Sequence, residues 1–539
     1  MLKRGIIFNE DGDHFLNTRL KTDMGREVDE ETLLAFIDQY KNTDITDLFL
    51  CVSAMMSSFP SKEKTFYGDK YLVKEEMGKA VDYSGTVCEV AYHIWVENGL
   101  DMYGIWIRRC RENGIAPWLS FRLNDAHIQF DVPNFLVPKE YYEHFEENSR
   151  VRHRRQMQYF DRCRDFELPK VREEWLAHIE EALEQYDVEG IELDLQRELW
   201  CFRIGRERAG AQVMTEFIGA VKALLKRYES RVGHRIQLAV RAHPNPVTCC
   251  EFGFDILEWA KRGYLDLYIA APRWATSDND MPIRLWKQML EPYGVPVAGG
   301  AEILLGASPK PTGNPPKVMR AVNTVETAFG TAANILEQGA DKLYLFNYMS
   351  FEQEMITPQT RRDTKENDLF KPEGMLHFLA NAGDTERIAH VPRRYILTYT
   401  DTASLGHEKS AQLPRTLAGT AAGMPGEPMF LRIAAGGIGE TDEVTLNLGI
   451  EGVSEGEDGW NAGDALRVYV NSVPVPFLGT CEPTPPVLTR SRIYTFRIPK
   501  EANAGDVWIV EIHRESEYGV RKETPITIDY ADICAVPKE

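Results

Sequence analysis

Eight times between residues 5 and 348 the sequence runs through a short apolar stretch, breaks into polar residues, and in most cases enters a segment with helical periodicity. The apolar stretches are Gly5–Asn9, Asp47–Met55, Ala116–Arg122, the start of Val188–Trp200, Arg235–Arg241, Leu265–Ala271, Pro296–Glu302 and Lys342–Tyr348. Helical spacing is read at Glu30–Tyr40, Gly99–Asn113, Leu168–Tyr186, Val213–Tyr228, Ile256–Arg262, Ile283–Tyr293 and Val318–Gln338. Parallel strands need crossovers of this length, and eight strand–helix units close into a (β/α)8 TIM barrel. The rival is an open doubly wound sheet. No Gly-x-Gly-x-x-Gly follows the first strand, which argues against its nucleotide-binding form.

After about Pro392 the pattern changes. Arg394–Thr400, Met429–Ala434, Glu443–Leu448, Leu466–Val470, Ile493–Ile498 and Asp506–Ile512 are short, β-prone and separated by Gly, Pro, Asp and Asn. This predicts an antiparallel β-sandwich, and two domains: a barrel over residues 1–390 and an accessory sandwich over 391–539. The sandwich is read as bracing the barrel, with carbohydrate binding or homo-oligomer assembly as alternatives. A net charge of −20 argues against nucleic-acid and anionic-membrane partners. The nine cysteines are an odd number without Cys-x-x-Cys spacing, and no signal-peptide or membrane-spanning run is read. The expectation is a cytoplasmic protein.

Barrel chemistry sits at the C-terminal ends of the strands. In Val188–Trp200, Ile191, Leu193 and Leu195 alternate with Glu192, Asp194 and Gln196, so two carboxylates and an amide share one face. Gly190 lies on that face too, leaving room low in the barrel. A half-exposed edge strand would show the same alternation. The remaining strand ends contribute Asn9, Arg122, Asn124, Asp125, His127, Arg197, Glu198, Arg241, His243, Arg273, Trp274, Glu302, Asn347 and Tyr348. Carboxylates, arginines, amides and an aromatic ring suit a polyhydroxylated ligand, with planar polar groups on its hydroxyls and its C–H face on a ring.

Cleaving a glycosidic bond takes two acidic groups, one protonated and one ionised. Asp194 and Glu302 are the first pair. Glu192 is read as their support, either raising the pKa of Asp194 or pairing with Arg241, and Glu198 as a substitute for either acid. Arg122, Arg241 and Arg273 make an anionic sugar an option. Asp125, His127 and His243 do not have metal-ligand spacing, and neither metal nor cofactor is expected.

Three stretches, GIELDLQRE (Gly190–Glu198), SFRLNDAH (Ser120–His127) and KLYLFNY (Lys342–Tyr348), resemble motifs of an uncharacterised bacterial family of glycoside-hydrolase-like (β/α)8 barrels with a C-terminal β-domain. The resemblance runs from about Gly5 to His390 and more loosely into the tail. It implies a carbohydrate-active barrel with Asp194, Arg197, Asn124, Asp125 and Glu302 in the site. Retaining glycosidases acting from strands four and seven usually carry Asn-Glu at the end of strand four, and this chain has Arg197-Glu198. The leading expectation is a glycosidase of small oligosaccharides or glycosides. The alternatives are a non-catalytic sugar-binding barrel and a metal-dependent lyase or isomerase built on Asp125, His127 and His243.

Overall fold

In a computed structural model the chain is described over residues 4–126, 132–139, 141, 162–273, 276–307, 320–349, 368–404, 406–407, 411–417, 427–451, 466–483, 491–503, 505–514 and 526–538. Eight strands form a closed barrel: β1 (Ile6–Glu10), β2 (Ile45–Ser53), β3 (Ala116–Arg122), β4 (Gly190–Asp194), β5 (Gln237–Ala242), β6 (Leu267–Ala270), β7 (Val297–Glu302) and β8 (Lys342–Phe346). Each strand neighbours the next in sequence and β8 returns to β1. The edge-strand reading of β4 therefore does not hold, because β4 lies between β3 and β5.

The helices form where periodicity and caps agree. Pro169–Gln185 opens on a proline, whose missing N–H is no loss at a helix start, and buries Val171, Trp175, Ile179 and Leu183. Glu207–Val232 stops at Gly233, which takes a left-handed φ of 79°. The last barrel helix begins at Val325, later than the apolar pattern suggests. Thr324 caps it through the Thr327 N–H, and Arg320–Val322 pairs with Leu304–Gly306 as a hairpin. Short helices at His14–Leu20 and Pro246–Glu251 were not anticipated by periodicity, being too brief to display it.

Register places the interior in layers. Trp118 lies level with Gly190, Ser120 with Glu192 and Ala239, and Arg122 with Asp194 and Arg241. In the lowest layer a Cβ on Gly190 would come within 2.2 Å of the Trp118 ring, so the indole fills the space the glycine leaves. Phe49 stacks on that indole at 4.7 Å between centroids, and Trp118 Nε1 donates to Asp47 Oδ1 at 3.2 Å.

By internal contact the chain forms two compact units, Met1–Arg273 with Leu285–Ala298 and Tyr344–Glu352, and Trp274–Arg284 with Gly299–Leu343 and Gln353–Glu539. The second unit holds the sandwich strands β9 (Arg393–Ile396), β10 (Arg415–Leu417), β11 (Met429–Ala434), β12 (Glu443–Glu451), β13 (Leu466–Val470), β14 (Val473–Pro474), β15 (Phe477–Cys481), β16 (Arg492–Ile498), β17 (Val507–Arg514) and β18 (Ile526–Val536). One sheet runs β9-β18-β12-β16-β15, with β10 also on β18, and the other runs β11-β17-β13-β14. Leu305, Ala307, Ile396, Ile493 and Tyr530 form one apolar cluster of this unit. Helix Val325–Glu337 approaches β9 so closely that a Cβ on Gly330 would meet the Arg394 carbonyl at 2.2 Å. No helix among the described residues is long and apolar enough to cross a membrane.

Candidate active site

Asp194, the last residue of β4, is fully buried and held from two directions. Arg241 Nη1 lies 3.0 Å from both carboxylate oxygens, and the backbone N–H groups of Gln196 and Arg197 donate to Oδ1 at 2.9 and 3.1 Å. Arg241 is fixed in turn. Its Nη2 donates to the carbonyls of Pro272 and Arg273 at 3.0 Å, and its guanidinium lies 3.9 Å over the Phe346 ring. A buried carboxylate with this many donors is held in one position.

Glu192 lies one layer deeper on the same face. Its Oε2 accepts from Ser120 Oγ at 2.5 Å and from Asn9 Nδ2 at 3.3 Å. Burial, reinforced by the charge of Asp194, pushes its carboxyl up to about 7, with Ser120 and Arg241 acting against the shift. The order expected from the sequence is thus inverted. Asp194 takes the arginine, and Glu192 is the acid whose proton is held into the neutral range.

Around these two, arginines meet acids pair by pair. Arg122, in register with Asp194, donates from Nη1 to Asp11 Oδ2 at 3.1 Å, with its guanidinium 5.2 Å over Phe346. Arg273 grips Glu198, Nη2 lying 3.1 Å from each carboxylate oxygen and Nε 3.2 Å from Oε2. Glu198 nonetheless stands at about 7, because burial outweighs the arginine's pull. Arg197 Nε reaches Asp125 Oδ2 at 3.4 Å. Asp13 is also raised to about 7, by desolvation and by Asp11 beside it.

Asn124 is engaged by the backbone: it donates to the carbonyls of Arg164 and Trp200 at 3.3 and 3.0 Å and accepts from Arg164 N at 2.7 Å. His243 Nδ1 accepts from Asn245 N at 3.0 Å, tying the turn after β5. Glu302 ends β7 in the second unit. It is buried, and Ser277 Oγ and Asn323 Nδ2 hold its backbone at 2.7 and 2.9 Å. Asn347, just past β8, takes a left-handed φ of 62°, and Tyr348 is buried. His127 and Trp274 lie outside the described residues. Among those residues, no group of three His, Cys, Asp or Glu is arranged to hold a metal.

Among the described residues, several buried polar atoms of this face have no hydrogen-bond partner: Asn9 Oδ1, Arg122 Nε and Nη2, and both amide atoms of Gln196. Folded chains rarely leave such atoms unsatisfied together. Gln196 was visible in the alternation of β4, but a neutral amide beside two acids did not stand out as a site residue. Tyr344 hydrogen-bonds to Glu192, and an aromatic ring inside an apolar strand carries no sequence signal that separates it from core.

No protein-family model matches the sequence, and no curated protein does. Among solved structures, the chain is similar to a chitinase from Bacillus thuringiensis, with 9% identity, 95% of this chain and 98% of that chain covered, and a TM-score of 0.38. It is also similar to an alpha-L-fucosidase from Vibrio sp. strain EJY3, with 11% identity, coverage of 99% and 97%, and a TM-score of 0.35. A third is the multi-modular cell-surface chitinase of Paenibacillus sp. str. FPU-7, with 10% identity and a TM-score of 0.36. The match covers 92% of this chain and spans about half, 52%, of that one.

Proposed function

We propose that the chain is a glycoside hydrolase of small oligosaccharides or glycosides, with Glu192 as proton donor and the Asp194–Arg241 ion pair as the fixed polar neighbour beside it. The observation that carries this reading is the set of buried polar atoms on Asn9, Arg122 and Gln196 that no described residue satisfies. A sugar's hydroxyls both donate and accept, so they supply what these atoms lack. A carboxyl held near 7 is protonated often enough at neutral pH to protonate a leaving oxygen, and ionises readily afterwards. Glu302, expected from the sequence as the second carboxylate, keeps that role on its strand position alone, and a cytoplasmic setting rests on sequence grounds alone.

The test is turnover of a panel of 4-nitrophenyl glycosides by wild type and by Glu192→Gln, Asp194→Asn and Glu302→Gln. Loss of a general acid lowers kcat by roughly 10²–10⁴-fold, and wild-type rates in Glu192→Gln remove the assignment. One observation favours a second reading, a barrel that binds sugar without cleaving it: both oxygens of Asp194 are already engaged. Sugar binding by calorimetry with no turnover by wild type selects that reading.

A further inference from the structure

The unsatisfied atoms and the paired charges together specify what kind of sugar the site accepts. This narrows the hydrolase reading and rests on it. The unsatisfied set contains both donors and acceptors. Arg122 offers the parallel N–H groups of its Nε/Nη2 edge, and Asn9 Oδ1 offers an acceptor. The Gln196 amide offers one of each, on a side chain with 0% exposure. A carboxylate, which only accepts, would meet Arg122 and leave Asn9 Oδ1 and Gln196 Oε1 without a donor. A hydroxyl satisfies both kinds of atom.

The charges agree. Each of the described rim arginines already faces an acid: Arg122 with Asp11, Arg197 with Asp125, Arg241 with Asp194, Arg273 with Glu198. Only the Nε/Nη2 edge of Arg122 stays open, and its charge is already offset by Asp11, so an anionic sugar would add a net negative charge to the group. The anionic option raised by counting arginines in the sequence is therefore disfavoured.

We propose that the Gln196 amide and the Nε/Nη2 edge of Arg122 are substrate contacts that hold hydroxyls of an uncharged sugar ring, with the acceptor oxygens of Gln196 and Asn9 setting the preference against a sugar carboxylate. The Gln196 side chain hydrogen-bonds to no described residue, so its presence is costly until a ligand arrives. An apolar side chain of similar length removes that cost and the contact together.

The experiment pairs 4-nitrophenyl glucoside and galactoside, each as the α and the β anomer, with the matching uronides. It assays wild type and Gln196→Met for kcat/KM and Tm. The expected result is a neutral glycoside turned over at least about 100-fold better than its uronide. Gln196→Met is expected to raise Tm while lowering kcat/KM on the neutral sugar by about 30-fold or more. A Tm that falls with kcat/KM unchanged makes Gln196 a packing residue and overturns the proposal. Uronides turned over as well as neutral sugars overturn it too, yet leave the hydrolase reading standing. If nothing is turned over, calorimetry with free glucose, galactose and glucuronate decides. A neutral sugar bound by wild type and lost in Gln196→Met sustains these contacts without the hydrolase, and no binding at all removes both readings. Should Gln196→Met fail to fold, the neutral-to-uronide preference of wild type decides alone.

Discussion

A carboxyl that keeps its proton near neutrality leaves two signatures, and both belong to Glu192. Its folded pKa, about 7, lies above the ordinary 4.5, so the folded chain binds this proton more tightly than the unfolded one. The stability this contributes is complete below about pH 4.5 and is lost as pH rises to about 7. Wild type is therefore expected to lose Tm across that window relative to Glu192→Gln, read by thermal melts from pH 4 to 8. On the proposed function, kcat/KM is expected to fall as pH rises past about 7, because the donor empties. A second residue-scale expectation concerns Gly190. Gly190→Ala forces a methyl into the Trp118 ring and should destabilise by about 1–3 kcal/mol in chemical denaturation. The polar face of β4 was legible in the sequence because alternation alone decides it. Which of its two acids would take Arg241 was not, since that depends on how far the guanidinium of a neighbouring strand reaches.

At the scale of the strand, the rim is a row of residues in register across β3, β4 and β5, with Asp194 between Arg122 and Arg241. Removing one member of such a buried pair costs more than removing both, because the survivor is a charge without compensation. Arg241→Met is expected to destabilise by about 3–5 kcal/mol, and adding Asp194→Asn should recover part of that, as measured by urea midpoints. Strand existence was read well, Ala116–Arg122 with the bounds observed, because an apolar run ending in polar residues signals both a buried strand and its mouth. Helix starts were read less well. The apolar periodicity of Val318–Gln338 continues through Arg320–Val322, which pairs as a strand, and only the Thr324 cap marks the true beginning.

For the whole chain, the composition change near Pro392 and the compact units describe different things. The second unit reaches back into earlier sequence, where Leu305 and Ala307 join Ile396, Ile493 and Tyr530, and helix Val325–Glu337 lies against β9. A fragment of residues 391–539 lacks that helix and those side chains. It is expected to show no cooperative thermal transition and a weak near-ultraviolet circular dichroism signal, as loss of fixed packing dictates. Composition reports local strand propensity, and this core is completed by side chains more than eighty residues upstream, so no window of sequence could display it.

The indole of Trp118 seated over Gly190, with Phe49 behind it, makes the barrel a blind alley. Whatever goes in by the rim must leave the same way, so on the proposed function a released sugar would stand in the path of the next glycoside. Slowing of progress curves by added product sugar, relieved by dilution, is then the expected kinetic trace of that single doorway.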